Sequence, residues 1–93
     1  MPKYLIERTV PGAGQMDATA LAGIADQSNT VLRDLGPDIQ WVHSYVTDDK
    51  ITCVYVAASV DIVREHGRCG GFSVDAVHQV RSVIDPTTAE LVQ

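Results

Sequence analysis

His43 and Tyr45 stand two apart in the run Ile39-Gln40-Trp41-Val42-His43-Ser44-Tyr45-Val46. On a strand, that spacing points both side chains to one face. Imidazole is a borderline ligand suited to nickel, zinc or copper, and a phenol oxygen can ligate or hold the ligating ring. Cys53 would add a softer donor as its thiolate, and Glu7 a carboxylate from the first strand. His66 falls near the end of a second helical stretch, where the helix dipole favours its charged form. Plain structural readings compete at each position. A strand histidine is commonly a hydrogen-bonded core residue, and a strand cysteine a small buried hydrophobe. His66 could simply complement helix carbonyls, and Glu7 pair with Lys3 at the sheet edge. Cys69 beside Gly70 and His78 at a strand start read as packing or exposed positions. The chain has no His-x-x-x-His and no Cys-x-x-Cys. Asp48-Asp49 is a turn, since a calcium loop needs more oxygens in a longer pattern. Gly12-Ala13-Gly14 lacks the Lys-Ser/Thr of a phosphate loop.

These groups need elements to position them. Residues 3–9 are β-prone and end at Pro11-Gly12-Ala13-Gly14, a turn signal. Over residues 17–35, Leu21, Ile24, Ala25, Val31, Leu32 and Leu35 follow one helical face. Asp17 can cap that helix, and Gly36-Pro37 stops it. Residues 39–46 and 51–57 are two strands joined by Thr47-Asp48-Asp49-Lys50. A shorter helix spans 60–68, with Ser59 as cap and Gly70-Gly71 as stop. Residues 72–76 connect it to a last strand at 79–84, and 87–93 form a tail. The order β-α-β-β-α-β predicts one α+β domain over 1–93. It is the ferredoxin-like arrangement: a four-stranded antiparallel sheet with two helices on one face.

The hairpin register decides which side chains meet. A three-residue loop, 48–50, pairs Tyr45 with Cys53 and His43 with Tyr55. It gathers His43, Tyr45, Cys53 and Tyr55 on one face and gives the helices Val42, Val46, Val54 and Val56. A two-residue loop instead moves Cys53 and Tyr55 to the Val42 face, because a one-residue slip flips a whole strand. The first register is the one expected, since it gathers the polar groups. The face without helices would then bear Trp41, Tyr45, Tyr55 and Leu5. Bare apolar faces of several hundred Å2 are rare on monomers. The expectation is a homodimer with two sheets face to face, a dimeric α+β barrel.

Twelve acidic residues against seven basic ones give a net charge of −5. Such a domain repels phosphate backbones, so no nucleic-acid partner is expected. No apolar run reaches the ~18–20 residues of a membrane span. The opening Met1-Pro2-Lys3-Tyr4-Leu5-Ile6-Glu7-Arg8 meets charge too early for a signal-peptide core, which predicts a cytoplasmic protein. Two cysteines are too few for a disulfide framework and read as free thiols.

The string from Ile39 through Asp48-Asp49-Lys50 to Tyr55 resembles a family of small bacterial proteins, actinobacterial ones among them. They carry a domain of unknown function and are known as nickel-binding or nickel-responsive proteins. Pro2 to Arg8, Val63-Arg64-Glu65-His66, Gly70-Gly71-Phe72 and Val83-Ile84-Asp85-Pro86-Thr87-Thr88-Ala89 are similar too. The resemblance runs from about Pro2 to Glu90, and the chain departs from the pattern at Gly67, Cys69 and Ser73. It implies a ferredoxin-like protomer, a dimeric α+β barrel and Ni2+ binding. Glu7, His43, Tyr45, Cys53 and His66 are the matching candidate positions. The function expected is that of a cytoplasmic homodimer that binds nickel for storage, buffering or sensing. The alternative is a small-molecule enzyme of the dimeric α+β barrel type, such as a cofactor-free monooxygenase, isomerase or lyase. There His43 would be the acid/base in the wall of an apolar pocket, with Tyr45 or Cys53 as its partner. A third reading is an interaction module without chemistry.

Overall fold

Tyr4, Ile6 and Arg8 are buried while Lys3 and Thr9 are exposed, the period-two pattern of a strand covered on one face. This strand, β1 (Lys3–Thr9), opens the fold in a computed structural model that describes residues 1–92. A single 3-10 turn at Ala13–Gln15 leads to α1 (Ala18–Leu35). The Asp17 carboxylate accepts the Ala20 N–H at 2.8 Å and caps the helix, and Gly36 ends it at φ 86°, where a side chain would be strained. Strands β2 (Ile39–Val46) and β3 (Lys50–Ala57) form the hairpin. Helix α2 (Val60–Gly70) starts at Ser59, whose hydroxyl accepts the Ile62 N–H, and closes on Gly71 at φ 70°. Strand β4 (Ala76–Gln79) follows, and a 3-10 segment covers Pro86–Val92. Gln93, the last residue of the expected tail, lies outside the described residues.

The sheet is antiparallel in the order β2-β3-β1-β4, the ferredoxin-like order expected. The core lies under the helices and centres on Tyr4, Ile6, Tyr55, Ala57 and Val63. Burial of these side chains holds the layers together, at about 25 cal/mol per Å2 of apolar surface removed from water.

Two expectations are corrected. The hairpin loop has two residues, Asp48 and Asp49, not three: Thr47 N–H donates to the Lys50 carbonyl at 2.9 Å. The segment after β1 grips this turn. Val10 N–H donates to the Asp49 carbonyl, Gly14 N–H to the Asp48 carbonyl and Gly12 N–H to Asp49 Oδ1. Cys53 therefore faces Ser44, and Tyr45 faces Thr52. A bulge between Trp41 and His43 then adds one residue, so Trp41 meets Tyr55 and His43 meets Val54. The helix side holds Trp41, Ile51, Cys53 and Tyr55, and the open face holds His43, Tyr45, Val54 and Val56. The last strand is also earlier and shorter than expected. Gln79 already sits opposite Tyr4, and Val80 N–H makes a last bond to the Lys3 carbonyl, where β1 runs out. Residues 80–85 continue without a partner strand, leaving Val83 and Ile84 71% and 79% exposed.

Candidate functional site

The open face of the sheet carries two side-chain pairs. Leu5 lies opposite His78, and Glu7 opposite Ala76, so Glu7 and His78 are diagonal neighbours on one face. His78 Nε2 and Glu7 Oε2 are 3.0 Å apart and both side chains reach solvent. On the far strand, the His43 and Tyr45 rings meet edge to face with centroids 4.9 Å apart. Thr52 and Val54 of β3 separate the two pairs. From β2 to β4 is three strand spacings, about 14 Å at the usual 4.7–4.9 Å, so His43 and His78 of one chain cannot share an ion. Among the described residues, no three His, Cys, Asp or Glu side chains gather as a metal site. One protomer thus offers imidazole nitrogen and carboxylate oxygen in pairs. That donor chemistry suits a borderline divalent ion such as nickel, but it leaves coordination positions for water or other groups to fill.

Of the five expected positions, the structure brings Glu7, His43 and Tyr45 to the open face and sets Cys53 and His66 behind the sheet. Cys53 is buried against the core and opposite Ser44. His66 is 1% exposed, on the buried face of α2 with Val63, Gly67 and Gly70. Its Nε2 lies 3.1 Å from Ser28 Oγ, and the ring packs between Tyr55 and Phe72. Burial first, and the Arg8 charge second, push its pKa down to about 4. The helix dipole therefore does not keep it charged; it is a neutral ring at pH 7. Its Nδ1 has no hydrogen-bond partner among the described residues. Burial likewise pushes the Tyr55 phenol up. Cys69 is exposed, and its hydrogen bond to the Glu65 carboxylate raises the thiol pKa, so it is not an activated thiolate.

Sequence reasoning missed three residues. His78 was placed at a strand start, but the true position of β4 makes it the partner of Glu7. Ser28 lies among the apolar residues on the inner face of α1 and holds His66. Arg8 alternates with Tyr4 and Ile6, and that period was the signal that it points into the core. A cavity of about 470 Å3 lies on the helix side of the sheet. His43 is on the other face of the sheet, so this cavity is not the pocket expected beside it.

Residues 4–80 match the sequence model of a family described as nickel responsive protein SCO4226-like. The crystal structure of SCO4226 from Streptomyces coelicolor A3(2) has the same fold. It superposes with a TM-score of 0.74 over 88% of this chain and 99% of that one, at 14% identity. No curated protein matches.

Proposed function

The chain belongs to the SCO4226-like family of nickel-responsive proteins, and from that membership we propose that it is a cytoplasmic homodimer that binds Ni2+ on its open sheet face. The observation that carries this reading is the Glu7–His78 pair, a nitrogen and an oxygen donor 3.0 Å apart on that face. The donor set is Glu7, His78 and His43, with Tyr45 orienting the His43 ring; Cys53 and His66 are not part of it. A second sheet laid on the first would bring another set of these donors close and complete what one protomer leaves open. Two features favour that pairing. Half-buried Leu5, Val54 and Val56 form an apolar centre between the polar pairs. The segment 80–85 has no partner strand and exposes Val83 and Ile84. The radius of gyration is 14.7 Å, where a compact chain of this length would have about 12 Å. The biological role is storage, buffering or sensing. Among the described residues no helix is long and apolar enough to cross a membrane.

Calorimetric titration of tag-free protein with Ni2+ tests the site, with light scattering alongside. Ligation requires a neutral imidazole, so binding weakens toward acid pH. His78→Ala and His43→Ala each lower the affinity by at least about 10-fold, the low end for losing even an outer-shell partner. Unchanged affinity in both removes the open face as the site. The mass of wild type and variants stays near twice 10.0 kDa; a mass near 10.0 kDa removes the dimer.

A further inference from the structure

Behind the sheet, the 470 Å3 cavity lies between α1 and the strands and is lined mainly by apolar groups. Leu21, Ile24 and Ala25 of α1 form one wall, and Trp41, Ile51 and Phe72 contribute to the other. Into it projects one charged side chain, Arg8, which is only 4% exposed. Its Nη1 donates to the Ser73 carbonyl at 2.6 Å, and its guanidinium carbon lies 5.5 Å from the centre of the Phe72 ring. Its Nη2 is buried and has no hydrogen-bond partner among the described residues. None of the ion pairs among those residues involves Arg8. Among the described residues, no titratable group forms an ion pair with it. Asp75 feels the Arg8 charge, but only as the last of the causes that lower its pKa, after its hydrogen bonds from Thr9; Tyr55 is a buried phenol, and His66 is neutral.

A guanidinium cannot shed its proton to escape burial. Left unpaired in an apolar wall it is costly, and the cost is relieved by an anion that reaches Nη2. The planar fork matches a carboxylate. A phosphate dianion would call for more than one cation, and the chain's net charge of −5 opposes polyanions. The apolar walls ask for a hydrocarbon or aromatic body.

We propose that this cavity binds a small apolar monocarboxylate, with the carboxylate on Arg8 Nη2 and the body between α1 and the sheet. At ordinary packing density the space suits roughly 10–20 non-hydrogen atoms. The site is separate from the nickel reading, because the Glu7–His78 pair lies on the opposite face of the sheet.

The test uses full-length protein held metal-free in EDTA, so its outcome does not depend on nickel. Octanoate, 4-phenylbutyrate and 2-naphthylacetate are titrated against their primary amides, which keep the shape and remove the charge. Binding is followed by amide and indole chemical shifts. At least one acid binds about 10-fold or more tightly than its amide, the range for a charge-assisted hydrogen bond. The shifts centre on Ile24, Ser28, Trp41 and Phe72. Arg8→Gln erases the preference of acid over amide. Ile24→Trp, which keeps Arg8 but fills the wall, blocks the acid. Equal affinity of acid and amide in wild type overturns the proposal without any variant. So do shifts confined to His43, Tyr45 and His78, or no acid binding below about 1 mM, the −4 kcal/mol level of weak ligands.

Discussion

His66 and His78 sit on opposite faces of one small sheet and are held in opposite ways. His66 is sealed between Tyr55 and Phe72, with Ser28 on one nitrogen and, among the described residues, no hydrogen-bond partner on the other. The His78 side chain is 59% exposed and shares its ring nitrogen with Glu7 at the rim of the open face. The covered face uses its polar groups to fix a core. The open face keeps donors where an ion can arrive from water. A histidine count alone hides this division, because the same side chain is packed in the core in one place and open to solvent in the other.

The sharpest way to break this comparison uses neighbours on β1. Ile6 is fully buried on the helix side, and Ile6→Ala is expected to cost about 3 kcal/mol of stability, within the 2–5 usual for such truncations. Leu5 points to the open face. In a face-to-face dimer, Leu5→Ala lowers the melting temperature most at low protein concentration, since dissociation is linked to unfolding. Melting of wild type and Leu5→Ala over a hundred-fold range of concentration measures this. A loss that does not vary with concentration would separate Leu5 from any interface.

Acid comes next in size. His66 binds its proton less readily folded than unfolded, so its contribution is full above about pH 6.5 and declines as the pH falls toward about 4. The shift corresponds to roughly 3 kcal/mol at most. Urea midpoints at pH 7 and pH 4.5 measure the decline, and His66→Phe should flatten it. A variant as acid-sensitive as wild type would place the effect elsewhere.

Ser28→Ala removes the hydrogen bond to His66 Nε2 and should cost about 1–3 kcal/mol, the penalty for leaving a buried polar group unpaired. Urea unfolding at neutral pH reads it. The smallest effect belongs to the open face. His78→Ala should move stability by no more than about 1 kcal/mol, because its pair with Glu7 is exposed. The same variant is the one expected to weaken nickel binding, which separates the two faces within one experiment.

The fold could be read from local signals because those signals act locally. Asp17 and Ser59 start the helices, and Gly36 and Gly71 stop them, each within a turn of the residues they affect. The common face of Glu7, His43 and Tyr45 was also legible. The exact pairing was not. The hairpin register depends on Gly12 and Gly14 gripping Asp48 and Asp49 from a distant segment, and on one bulged residue near Val42. The end of β4 is set by where β1 stops, a matter of two strands rather than one. Arg8 escaped notice because a charged residue is ordinarily read as exposed, although its place in the alternation of β1 said otherwise.

Strand β1 is central, paired with β3 on one side and β4 on the other, and it precedes both of them in the chain. Ile6 meets Val77 only after the roughly 70 residues between them have been made. At the usual 5–20 residues per second, the wait is on the order of 4–14 s. During it, β3 can pair one edge of β1 while the β4 edge stays free, the condition that invites pairing with other chains. The nascent protein is therefore vulnerable to aggregation until β4 emerges, and the finished sheet depends on long-range contacts that form slowly.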